Sequence, residues 1–169
     1  MAARSWFGHM FLATLIGVTA STSVRAQTTA SRAPDFALET LRGDTVALSS
    51  YRGHAVLVNF WATWCTPCRG EMADLIAAYA AHKAEGLVIL AINLSDQERV
   101  RAVRRYANEL QIPFPVLLDV RGVVRGRYAV PGVPTSVFID TSGIIRVVHP
   151  GPITNDGIRR GLAEILPQP

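Results

Sequence analysis

The run Ala55-Val56-Leu57-Val58-Asn59-Phe60-Trp61 is almost unbroken in its preference for extended structure and contains one polar residue. It lacks the alternation of a strand with one wet face, so it predicts a central strand covered on both sides. The rest of the chain must then supply those covers. Met72, Leu75, Ile76 and Tyr79 recur at helical spacing until Gly86 stops the pattern, which predicts an amphipathic helix directly after the strand. Leu87 to Ile92 reads as a second buried strand, and Val100, Val103, Ala107 and Leu110 mark one face of a second helix. Pro115 to Leu118 and Ser136 to Ile139 give two more strands, with a short helical piece around Val123 to Tyr128 between them. Thr141-Ser142-Gly143 turns the chain into a hairpin-paired strand from Ile144 to Val148, and Ile158, Leu162, Ile165 and Leu166 line a terminal helix. Upstream, short apolar pieces from Pro34 to Leu48 around Arg42-Gly43-Asp44 predict a β-hairpin. The fold class is α/β, a central mixed β-sheet flanked by helices.

Residues 1–26 read as a separate object: Arg4, an apolar run from Met10 to Ala20, then Val24-Arg25-Ala26 before Gln27. That is the pattern of a secretory signal peptide cleaved after Ala26. The apolar run is shorter than the roughly 20 residues a membrane-crossing helix needs, so tethering through an uncleaved signal is the lesser alternative. Residues 27–33, rich in Thr, Ser and Ala, form an expected flexible start. Residues 34–169 are expected to be one domain. With 17 basic against 13 acidic residues the chain carries +4, and loss of Arg4 and Arg25 with the signal leaves 15 against 13. That small excess does not suit a nucleic-acid partner. The arginines from Arg99 to Arg127 read as a solvated helix face.

An exported domain of this size could hold several structural disulfides, yet the chain has only Cys65 and Cys68. Their separation closes a minimal loop, which gives a crosslink little stabilising effect. The pair falls where the buried strand gives way to the helix, so Cys65 sits at or beside the helix N-terminus. Unpaired N–H groups and the positive end of the helix dipole stabilise a thiolate there. Cys65 is therefore the expected attacking thiolate, and Cys68, one turn further in, the resolving thiol. Pro67 suits the first helical turn. A zinc site would need further ligands, and no second cysteine pair exists. Histidines at positions 54, 82 and 149 show no spacing that matches the cysteines, and a surface or locally bonded role is favoured over ligation. Trp64 is expected to cover one side of Cys65 and contact substrate, with simple packing as the alternative, while Trp61 is expected in the core.

The segment Asn59-Phe60-Trp61-Ala62-Thr63-Trp64-Cys65-Thr66-Pro67-Cys68, followed far downstream by Gly132-Val133-Pro134-Thr135, resembles the thioredoxin superfamily, and within it TlpA/ResA-like proteins. Pro34-Asp35-Phe36, Phe114 to Asp119 and the strand-helix insertion from Leu87 to Leu110 support the resemblance, which covers Pro34 to Leu166. It implies a thioredoxin-like fold with an N-terminal hairpin extension and a cis-proline at Pro134 facing the cysteines. It also implies that the backbone of Val133 is free to pair with an extended substrate, which places Val133, Pro134 and Thr135 with Trp64 in substrate binding. Glu71, three residues after Cys68, is by the same resemblance the candidate acid/base. Its plainer role is an acidic residue favoured in an early helical turn. Many thioredoxins have a buried aspartate where this chain has Asn59, and asparagine cannot titrate. Ala73 stands where relatives commonly have proline.

Taken together, these features predict an extracytoplasmic thiol-disulfide oxidoreductase that uses a Cys-Thr-Pro-Cys dithiol and no cofactor. The resemblance implies reduction of disulfides in exported proteins, as in cytochrome c maturation or copper-site assembly. The implied partners are a disulfide-bearing substrate protein and an upstream membrane thiol donor. Two alternatives stay open: a copper-binding delivery protein, because soft thiolates suit Cu(I), and a thiol peroxidase on a related fold.

Overall fold

The computed structural model describes residues 31–167, so the expected signal at 1–26 and residues 27–30 lie outside the described residues. In chain order the elements are β1 (Ala37–Glu39), β2 (Thr45–Ala47), a 3-10 turn (Leu48–Tyr51), β3 (Ala55–Trp61) and α1 (Thr66–His82). A second 3-10 turn (Lys83–Glu85) leads to β4 (Leu87–Asn93), α2 (Val100–Glu109), β5 (Val116–Leu118) and α3 (Val123–Arg127). The chain closes with β6 (Thr135–Ile139), β7 (Ile145–Pro150) and α4 (Asn155–Ala163).

β3 is buried at every position because it lies mid-sheet, in the order β5-β4-β3-β6-β7. It pairs in parallel with β4 and antiparallel with β6, while β4–β5 is parallel and β6–β7 antiparallel. Alternate residues of a strand point to opposite faces, and the core divides accordingly. Ala55, Leu57 and Trp61 face a cluster with Met72 and Leu75 of α1, Val103 and Tyr106 of α2, and Ile158 and Leu162 of α4. Val56, Val58 and Phe60 face the other cluster, with Phe36, Leu48 and Val124. Burying a side chain of this size stabilises the fold by about 1.5–3 kcal/mol relative to exposure. The β1–β2 hairpin covers the second face and is bridged to the sheet at Thr40 and Leu117.

α1 buries Cys68, Glu71, Met72 and Leu75, one helical stripe that carries the site residues into the sheet side. Gly86, at φ 91°, ends the 3-10 turn that follows α1 in a left-handed conformation open to glycine. α4 lies close on β6: a Cβ at Gly161 would stand 2.4 Å from the Phe138 ring, so glycine sets that approach. Residues 31–33, expected to belong to a flexible start, are instead tied to the β6–β7 turn. Ala33 N–H donates to the Gly143 carbonyl at 2.9 Å, and Ile145 N–H donates to that of Ser31 at 2.9 Å. Unpaired backbone groups beside this turn supplied partners that composition does not reveal. The terminal helix ends at Ala163, short of the expected Leu166. Among the described residues no helix is long and apolar enough to cross a membrane.

Candidate active site

β3 delivers the chain to the edge of the core at Trp61, and a short loop, Ala62 to Trp64, leads to α1. Cys65 is the N-cap of α1, in extended conformation, and its Sγ accepts the Cys68 N–H at 3.2 Å. Sulfur thus occupies the place where capping oxygens satisfy the first N–H groups of a helix. Cys65 and Cys68 are joined as a disulfide. Cys65 keeps 5% of its surface exposed and Cys68 none, while Trp64 beside them is 55% exposed. On reduction, a thiolate at Cys65 would meet the same N–H and the positive end of the helix dipole, which favour the charged form.

The redox loop is held by Glu98, in the connection from β4 to α2. Glu98 accepts the Thr63 N–H at 2.9 Å and the Asn93 side-chain amide at 2.7 Å on one oxygen, and the Thr63 hydroxyl on the other. Ser95 in turn donates to Asn93 Oδ1 at 2.7 Å. No local sequence pattern marks Glu98, because its partners are strand ends brought together by the β3–β4 pairing. On the next turn of α1, Arg69 lies over the Tyr106 ring at 4.6 Å and reaches Glu109 at 3.5 Å, joining α1 to α2.

Beneath the disulfide, Glu71 is 3% exposed. Its Oε1 accepts from Asn59 Nδ2 at 2.8 Å and its Oε2 from the Ile153 N–H at 3.0 Å. Burial pushes its carboxyl above the ordinary value, against these two hydrogen bonds and the nearby His149; Asp74 adds to the upward push. Burial thus favours the acid form of this carboxyl, which lies one helical turn along α1 from the buried Cys68. Asn59 also donates to Ser136 Oγ at 3.1 Å. Register explains the grouping: Asn59 pairs with Ser136, which pairs with His149, so the three form a row across β3, β6 and β7 on the α1 side. Ser136 and His149 were legible only as a strand residue and a surface histidine, since the row exists only once the strands are in register.

The peptide bond Val133–Pro134 is cis. Val133 packs against the core cluster that contains both cysteines. The Pro134 carbonyl accepts from Gly151 N–H at 2.8 Å. Thr135, expected with the substrate-binding residues, is buried, and its hydroxyl donates to the Gly132 carbonyl at 2.7 Å, which pins the loop from inside.

The AhpC/TSA family model matches residues 29–148. The thiol-disulfide oxidoreductase ResA of Geobacillus kaustophilus is 36% identical over 162 residues, covering 94% of this chain and 92% of the relative. The chain belongs to this family of thiol-disulfide oxidoreductases. Among solved structures, a thiol:disulfide interchange protein of the thioredoxin family from Chlorobium tepidum superposes with TM-score 0.72 at 29% identity, covering 82% of this chain and 97% of that one. A secreted disulfide oxidoreductase of Mycobacterium tuberculosis gives TM-score 0.68 at 27% identity, covering 76% and 94%. The fold is therefore thioredoxin-like. A member of this oxidoreductase family carries out dithiol-disulfide exchange, and Cys65 and Cys68 are the two cysteines of the chain.

Proposed function

We propose that the chain works outside the cytoplasm as a reductant of disulfides in exported proteins, of the cytochrome c maturation or copper-site assembly type. Cys65 attacks the substrate disulfide, Cys68 resolves the mixed disulfide, and a membrane thiol donor restores the pair. Glu71 serves as acid/base, while Trp64 and the Val133–Pro134 backbone hold the substrate segment. The observation that carries this reading is the asymmetry of the pair: Cys65 caps α1 beside an exposed Trp64, while Cys68 is wholly buried one turn from a buried carboxyl. The N-terminal pattern of residues 1–26 and the secreted relative support an extracytoplasmic setting.

The test is the reduction potential of the Cys65–Cys68 couple in glutathione or dithiothreitol buffers, alongside trapping of mixed disulfides with Cys68→Ser. A potential near or below about −270 mV supports the reductant, and one near about −120 mV marks a disulfide-forming oxidant and sinks it. The AhpC/TSA match also favours a second reading, thiol peroxidase. Peroxide turnover that disappears in Cys65→Ser would establish it.

A further inference from the structure

Of the three buried side-chain polar atoms without a partner among the described residues, Asn59 Oδ1, Trp61 Nε1 and the Tyr106 hydroxyl, the first belongs to a side chain bonded directly to Glu71. Asn59 is wholly buried, and its Nδ2 donates both to Glu71 Oε1 and to Ser136 Oγ, yet its Oδ1 has no donor. An unmet buried acceptor is uncommon in folded proteins and calls for a physical reason.

The reason lies in what each oxygen of Glu71 faces. Oε1 accepts from Asn59 and Oε2 from the Ile153 N–H. That set fits a carboxylate, which only accepts. A carboxylic acid has an O–H of its own, and here it would meet an N–H at either oxygen and find no acceptor. Rotation of the Asn59 amide by half a turn exchanges Nδ2 and Oδ1 at almost unchanged shape, about a terminal torsion that is broad and two-fold. Oδ1 then accepts from the Glu71 O–H and from the Ser136 hydroxyl, which can accept in one state and donate in the other. Two hydrogen bonds are kept in each state, and the unpartnered group changes from the carbonyl to the amino group.

We propose that the Asn59 amide, backed by Ser136, is a two-position relay that follows the proton on Glu71, with its amino group toward the carboxylate and its carbonyl toward the acid. The proposal rests on the acid/base reading of Glu71. In the resolving step the Cys68 S–H bond breaks and its proton forms the O–H of Glu71, while Nδ2–H···Oε1 gives way to O–H···Oδ1. The Cys68 sulfur then bonds to Cys65, the bond from Cys65 to the substrate breaks, and the substrate sulfur leaves as a thiolate. Two electrons pass from the cysteine pair to the substrate disulfide, and Glu71 later releases its proton to solvent. The other groups acting on Glu71 are Asp74 on its own helix, His149 on β7 and Tyr106 on α2. Asn59 is thus a positioning residue: it sets in which form Glu71 is held, not the sulfur chemistry itself.

The decisive measurement is an NMR pH titration of the reduced full chain, following the Glu71 side-chain carboxyl carbon and the Asn59 side-chain amide. Contacts from the Asn59 Nδ2 protons to the Ser136 β-protons should be present above the Glu71 midpoint and lost below it, and Glu71→Gln should remove the transition. In Asn59→Leu the loss of the charge-assisted bond should raise the Glu71 midpoint, and with it the pH profile of exchange, by about one unit. If Glu71 titrates and Glu71→Gln slows exchange while those contacts persist throughout, the relay is overturned and the acid/base role stands. If the contacts switch but Glu71→Gln leaves rate and pH profile unchanged, the relay is supported and the acid/base role falls. Should Asn59→Leu not fold, the contacts in the natural chain decide alone.

Discussion

Two carboxylates lie near the opposite ends of β6 and have opposite characters. Past its C-terminal end Asp140 accepts the Ser142 and Ile144 N–H groups at 2.9 Å each, and Arg146 contacts its other oxygen at 2.6 Å. Near its N-terminal end, beside Ser136, Glu71 accepts two N–H bonds of similar length. Burial pushes the Asp140 carboxyl up, but the Ile144 bond and the Arg146 guanidinium outweigh it and hold the group below the usual range. Among the described residues no arginine or lysine does this for Glu71, and burial wins. At Asp140 the Ile144 hydrogen bond is the first of the influences that favour the charged form and the guanidinium adds to it, whereas at Glu71 burial outweighs two such hydrogen bonds. The charged form is thereby favoured at the β6–β7 turn and the acid form at the redox end.

The largest break of this comparison comes from sulfur. Cys65→Ala should abolish disulfide exchange in an insulin-reduction assay, and residual turnover above the uncatalysed rate would show that another group attacks. Next, Glu71→Gln should slow exchange about 100-fold and flatten its pH profile, read by stopped-flow fluorescence of the adjacent Trp64. An unchanged rate would put Glu71 on the same structural footing as Asp140. The same variant tests linkage. A folded carboxyl raised above 4.5 binds its proton more tightly than the unfolded one, so this group's contribution to stability falls as pH rises from there through the folded value. Urea unfolding should show that slope in the natural chain and not in Glu71→Gln. Asp140 has the opposite sign: its contribution is present above 3.8 and is lost as pH falls through its depressed folded value. Asp140→Ala should cost about 2 kcal/mol in urea unfolding with the exchange rate unchanged. A drop in rate without loss of stability would join the two ends of β6 functionally. The smallest effect is expected from Thr63→Val, which keeps the backbone bond to Glu98 and loses the hydroxyl one. It should cost about 1 kcal/mol and leave the pH profile in place, and a shifted profile would make Glu98 part of the proton chemistry.

Much of this architecture could be read in advance, because its signals are local. The bounds of β3 follow from an apolar run, the start of α1 from a proline beside the cysteines, and the hairpin from a turn at Arg42-Gly43-Asp44. The dithiol was legible for the same reason, as two cysteines one helical turn apart at a strand-to-helix junction. The cis bond before Pro134 came from resemblance, whereas helical spacing put Glu71 within reach of Cys68 and the resemblance added its acid/base role. Tyr106, which joins the core of α2, was absent from the expected stripe because tyrosine reads as apolar or polar according to what lies above it, here Arg69 and Trp61.

By itself, then, the sequence determined the order of elements, the covered central strand and the reactive pair, all of which depend on residues within one or two turns of one another. Only the tertiary structure decided the company of Glu71. Asn59, Ser136 and the Ile153 N–H come from distant points of the chain, and it is strand register and helix packing that close around the carboxyl and remove its water. Desolvation is a property of everything within a few ångströms in space, which no local stretch of sequence specifies.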